Sequence, residues 1–224
     1  MAQRAASELK GTSYEIFVGA LSVLSILNLV LEAVIDDPGL SYVIMAMNGL
    51  LSLVLFLDFL YRLRTAPDRA GYFFRGFGWA DLLASMPMQQ VKVLRLFRIV
   101  RVVRLLRELG PRVIWRSLVR DRASSALYTL LLIGLLMLEF GSLGMLSIEQ
   151  DAAGANITTA SDALWYSLVT MSTVGYGDQF PVTNPGRLLG SLIIIVGVGI
   201  FGTLTGFLAN AFVAPRRAQS AEAE

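Results

Sequence analysis

The chain of 224 residues contains no cysteine and no histidine. The first absence excludes disulfides and cysteine-based metal sites. The second removes the commonest general base and proton shuttle. Charge is also scarce. Asp, Glu, Lys and Arg make up 16% of residues, where a soluble domain carries about 25%. Hydrophobic residues fill the difference at 55%, a balance that belongs to a membrane protein. No nucleophile–base pair or metal-ligand constellation stands out, which disfavours an enzyme, an organic cofactor or a nucleic-acid partner. The first ten residues are polar, so no cleavable signal peptide is expected and 1–13 reads as a short cytosolic lead.

What is present is a series of apolar runs. A spanning helix needs roughly 20 mostly apolar residues. Tyr14 to Ile35 is one such run, and Asp36-Asp37-Pro38-Gly39 turns the chain. Leu40 to Leu63 is the second. Ala70 to Met86 is a weaker third, closed by Pro87. Gln89 to Leu109 is a fourth, of unusual composition, broken by Gly110-Pro111. Arg112 to Arg122 is a basic amphipathic connector, and Ser124 to Ile148 spans again. Ser161 to Ser172 is apolar but only about 12 residues long, so it reads as a re-entrant half-helix. Pro185 to Val213 is the last span. The fold class expected is all-α, with six transmembrane helices and one re-entrant segment.

Of 19 Lys and Arg, six lie in the fourth run. Twelve share one side if the spans alternate: Arg4, Lys10, Arg62, Arg64, Arg69, Arg75, Arg112, Arg116, Arg120, Arg122, Arg216 and Arg217. Only Arg187 falls opposite, with Asp36, Asp37, Glu149 and Asp151. Positive charge is retained on the cytosolic side, so both termini are expected there. Small size and the lack of cysteine point to a prokaryotic inner membrane.

In the fourth run Lys92, Arg95, Arg98, Arg101, Arg104 and Arg107 recur every third residue, separated by apolar pairs. A centrally placed Arg or Lys costs about 2.5–3.5 kcal/mol on insertion scales, so such a row needs partners. Spacing by three makes a slowly winding stripe on an α-helix, or a straight one on a 3₁₀ helix. A helix lying on the membrane surface would instead show a wide polar face. Acids available as countercharges are Asp58 and Asp81 toward the cytosolic ends of the second and third runs, and Glu32 toward the external end of the first. Asn28 and Asn48 lie at mid-depth, and Glu139 is an unexplained acid inside the fifth span.

After the half-helix comes Thr173-Val174-Gly175-Tyr176-Gly177-Asp178. Non-helical backbone at membrane depth is tolerated only where it lines a water-filled cavity or is buried in protein. Gly175 and Gly177 admit positive φ. The carbonyls of Thr173, Val174, Gly175 and Tyr176, with the Thr173 hydroxyl, could then replace the hydration shell of a cation. One chain supplies one strip, so a ring needs about four copies. The C-terminal end of the half-helix, at Thr170 to Ser172, directs partial negative charge at the same place.

With this segment, the half-helix Trp165-Tyr166-Ser167-Leu168-Val169-Thr170-Met171-Ser172 and the arginine row, nearly the whole chain resembles the voltage-gated potassium channels, in a prokaryotic form without a cytosolic assembly domain. The resemblance implies a homotetramer in a lipid bilayer that conducts K+ as permeant ion. It divides the chain into a voltage sensor over 14–109, a linker over 110–122, a pore over 123–213 and a cytosolic tail over 214–224. It makes Thr173 to Asp178 the selectivity filter, with Trp165 bonded to Asp178 and Tyr166 where the family usually has a second Trp. It makes the row from Lys92 to Arg107 the gating charges. An aromatic residue usually precedes the second-helix acid by three positions, but here that residue is Leu55. Gly197 is the implied gating hinge, with Gly199 and Gly202 equally suited to close helix packing. The connector arginines suit anionic headgroups, at about 1 kcal/mol each. A potassium pore controlled mainly by a ligand or lipid, with the arginine helix static, is the competing expectation. A secondary transporter would show paired repeats with broken helices, which the sequence lacks.

Overall fold

The computed structural model describes residues 2–66, 69–74, 78–85, 99, 103 and 122–221. Every element among them is a helix: α1 (Ala2–Val34), α2 (Pro38–Thr65), α3 (Arg69–Phe74), α4 (Gly78–Ser85), α5 (Arg122–Glu149), α6 (Ala160–Met171) and α7 (Asn184–Ala221). Four contain stretches long and apolar enough to cross a bilayer: Ser13–Val34, Pro38–Thr65, Ala126–Glu149 and Asn184–Ala209. The helical backbone reaches further than the apolar runs at both termini of the chain, through the expected lead and into the expected tail. The third run is described as two short helices, α3 and α4. The fourth run lies outside the described residues apart from Ile99 and Val103, and so do the six basic residues of its row.

The chain divides into two compact units, Met1–Leu132 and Ile133–Glu224. The division falls within α5, downstream of the linker read at 110–122. In the first unit α1 and α2 pair antiparallel. Asp37 caps α2 by accepting the Leu40 N–H at 2.8 Å, and Pro38 opens the helix, where its missing N–H is no loss. Leu21 and Leu24 of α1 are buried with Val43, Ile44, Met47, Leu51, Leu55 and Phe59 of α2. Within that apolar seam Asn28 and Asn48 are buried and adjacent, Asn28 Nδ2 lying 3.5 Å from Asn48 Oδ1.

In the second unit α5 and α7 run antiparallel, with a glycine face meeting aliphatic side chains. A Cβ added at Gly134 would lie 3.5 Å from Ile200, one at Gly141 3.3 Å from Ile193, and one at Gly144 3.0 Å from Leu189. Small residues of this kind let helix axes approach where no hydrophobic effect drives them together. Helix α6 is tied to α5 through the Ser142 hydroxyl, which lies 3.0 Å from Ser167 Oγ and donates to Ala163 O at 3.2 Å.

Candidate functional site

Helix α6 begins at a reciprocal cap. Asp162 N–H donates to Thr159 Oγ1 at 3.2 Å, and Asp162 Oδ2 accepts Thr159 N–H at 2.9 Å. Its 12 residues end at Met171, with Ser172 as C-cap. The chain then folds its donors back onto the helix. Ser172 N–H donates to Leu168 O at 3.0 Å, Thr173 N–H to Thr170 O at 3.1 Å and Val174 N–H to Val169 O at 3.1 Å. Gly175 N–H also reaches Val169 O, at 3.4 Å. The backbone donors of this stretch are thus spent on α6.

The sign of φ alternates along the segment. It is +60° at Thr173, +58° at Gly175 and +77° at Gly177, and negative at Val174 and Tyr176. Glycine at 175 and 177 is what the sequence leads one to expect. Thr173 is a departure, because a β-branched residue in the left-handed region is strained.

Behind the segment, Trp165 Nε1 donates to Asp178 Oδ2 at 2.7 Å, the bond expected between these residues. The Trp165 ring stacks on Tyr176 at a centroid distance of 5.8 Å and an interplanar angle of 4°. Tyr166 is buried, and its hydroxyl faces α7, where a Cβ at Gly190 would come within 2.5 Å of it. Within this chain Tyr166 therefore abuts the last helix.

Two supports were not anticipated. Glu149, read as an external loop acid, is fully buried at the end of α5. Its carboxylate accepts Val182 N–H at 2.8 Å, Thr183 N–H at 3.1 Å and the Thr183 hydroxyl at 2.6 Å. Thr183 Oγ1 in turn accepts Gly186 N–H at 3.0 Å, so the acid secures the start of α7. Asn156 bonds the backbone on either side of Gln179. The groups that Glu149 and Asn156 bind are remote in sequence, so no local pattern announces them.

Gly197 packs where the last helix crosses the end of α6. A Cβ there would lie 2.5 Å from Met171 Cα and 2.7 Å from Met171 O. At Gly199 and Gly202 a Cβ meets nothing within 4 Å. Close packing within the chain is thus found at 197, the implied hinge, while 199 and 202, where hinge and packing were left equally open, stand clear of other atoms of the chain.

Of the expected countercharges, Asp58 is buried and engaged. Arg62 Nε lies 2.9 Å from its Oδ1, and the Tyr14 hydroxyl donates to the same oxygen at 2.6 Å. Arg62 also pairs with Glu15 at 2.8 Å and stands 5.9 Å from the centre of the Tyr14 ring. The Tyr14 ring meets Tyr128 edge-on at 5.8 Å. Glu32 is partly buried near the end of α1, and Glu139 is fully buried in α5. Asp81 belongs to α4, but its side chain lies outside the described residues.

The ion transport protein family matches residues 11–220. A voltage-gated potassium channel of Aeropyrum pernix is 29% identical over 208 residues, covering 88% of this chain and 70% of its own length. A cyclic nucleotide-gated potassium channel of Rhizobium etli is 39% identical over 72 residues, 32% of this chain and 20% of that protein. Potassium voltage-gated channel subfamily A member 5 of Mus musculus is 48% identical over 50 residues, 22% of this chain and 8% of that protein. The chain thus spans less than two thirds of the Rhizobium and mouse relatives. Given the match across 11–220 and four helices suited to a bilayer, the chain is an integral membrane protein that belongs to the ion transport protein family.

Proposed function

We propose that the chain is one subunit of a voltage-gated, potassium-selective channel that works as a homotetramer. The backbone from Thr173 to Gly177 carries this reading. The N–H groups of Thr173, Val174 and Gly175 turn back onto α6, away from the carbonyls of the segment. Alternating signs of φ turn successive carbonyls to one side, where a regular strand would alternate them. Such a strip can stand in for the hydration shell of K+, and four strips make the ring. Val174 is 54% exposed and Tyr176 68% exposed in the single subunit, as side chains that pack against other copies on assembly would be.

In this reading the six spans comprise a sensor over 14–109 and a pore over 123–213, joined by the basic linker, with α6 as the re-entrant pore helix. Lys92, Arg95, Arg98, Arg101, Arg104 and Arg107 are the gating charges. Asp58, Asp81 and Glu32 are their countercharges, and Gly197 and its neighbours are where α7 yields. Trp165 and Tyr166 support the filter. The termini are cytosolic, and the linker arginines meet anionic lipid.

Planar-bilayer recording of the purified protein under a potassium gradient, with voltage steps, tests this. Current should reverse at the potassium potential and switch with voltage. Reversal elsewhere would refute selectivity. The likeness to the Rhizobium channel favours a second reading, a pore controlled mainly by ligand or lipid, and opening indifferent to voltage would select it.

A further inference from the structure

The loop between α5 and α6 holds a side chain that the filter reading leaves without a role. Asn156 Nδ2 donates to the carbonyl of Asp178 at 3.1 Å, and Asn156 Oδ1 accepts the N–H of Phe180 at 3.2 Å. A carboxamide offers one donor face and one acceptor face side by side. It therefore binds 178–180 as a neighbouring strand would. Reversing the amide would set donor against donor and acceptor against acceptor, so the partners fix its orientation.

Asn156 is itself held in place. Ala152 N–H donates to Glu149 O at 2.9 Å and Ala155 N–H to Ala152 O at 3.1 Å, so the loop is tied to the end of α5. Ile157, the next residue, is fully buried and anchors the other side. Asp178 is then gripped twice, by Trp165 at its carboxylate and by Asn156 at its carbonyl. Just inside it stands Gly177, with φ +77° and no side chain to resist rotation of its peptide planes.

We propose that Asn156 is a positioning residue for the outer mouth of the filter. Its amide holds the Asp178 carbonyl and the Phe180 N–H and so keeps the peptides flanking Gly177 in the conducting arrangement. This rests on the filter reading above. When the amide is lost, the outer peptides rotate away from the column during sustained opening. A K+ ion held by the outer carbonyls opposes that rotation.

The test uses the full chain reconstituted in planar bilayers, as wild type, Asn156→Ala and Asn156→Asp. The aspartate is isosteric and keeps the acceptor for Phe180, but it sets an oxygen against the Asp178 carbonyl. It also keeps the test open should the alanine variant fail to assemble. Both variants should reverse at the potassium potential at the onset of opening. Their sustained current should decay faster than wild type by about fivefold, the effect of one lost hydrogen bond of ordinary strength. Raising external K+ should slow the decay, a response that a merely loosened loop would not give. Decay equal to wild type, or faster decay indifferent to external K+, overturns the proposal. A wild-type current that does not reverse at the potassium potential overturns the filter reading itself, and this proposal with it.

Discussion

A methyl group at position 190 would lie 2.5 Å from the Tyr166 hydroxyl and 3.7 Å from the ring carbon that bears it. Only the hydroxyl is in conflict. Gly190→Ala should therefore destabilise the pore by about 1–3 kcal/mol, the usual range for overpacking. Tyr166→Phe in the same chain should recover most of that loss. Thermal dissociation of the purified assembly across the double-mutant cycle measures the coupling, and additive effects would mean the two positions do not meet. The sequence could place an aromatic residue at 166 but could not name what it touches, because Gly190 has no side chain to suggest a partner. Thr173 shows a related limit. Positive φ is read from glycine, and threonine gives no such sign. Asp58 is a different case. Expected as a countercharge for the arginine row, it is paired with Arg62 four residues on, the spacing of an ion pair on a helix.

At the scale of helices, the glycines of α7 separate into two kinds. An alanine at 197 would press on the backbone of Met171, which cannot swing aside as a side chain can. Gly197→Ala should lower the thermal stability of the pore and disturb the end of α6. Alanine at Gly199 meets nothing within 4 Å and gains helix propensity of about 1 kcal/mol. Gly199→Ala is accordingly the cleaner probe of bending: a shifted conductance–voltage curve places the bend there, and an unchanged curve places it elsewhere. The start of α7 depends on another element. Glu149→Gln puts an NH₂ group where Val182 N–H, Thr183 N–H and the Thr183 hydroxyl converge, and removes the charge that strengthens those bonds. A loss of about 1–3 kcal/mol in thermal unfolding is expected. Helix boundaries were mostly legible, since the apolar runs closely match α2, α5 and α6. The ties between elements were not, because they join side chains to backbone groups more than 20 residues away.

For the whole molecule, the decisive quantity is the energy available from the membrane field. One charge moved through it yields about 2.3 kcal/mol per 100 mV, so three per subunit in the proposed tetramer would supply roughly 28 kcal/mol. That exceeds a gate bias of a few kcal/mol many times over. Arg98→Gln should make the conductance–voltage relation less steep while leaving the reversal potential unchanged. Equal steepness would mean that the charge at 98 does not cross the field. This expectation comes from the sequence alone, because charge in a bilayer is too costly to occur by accident and Lys92 to Arg107, outside the described residues, repeats it six times. The fourfold stoichiometry stays part of the proposal, since a ring of carbonyls is a property of several chains. The fit between α5 and α7 also bears on how such proteins can be recombined. Gly134, Gly141 and Gly144 form a mould for Ile200, Ile193 and Leu189. A chimera that imports a foreign α7 alone would meet a mould cast for other side chains. The smallest portable piece is the helix pair, exchanged as one.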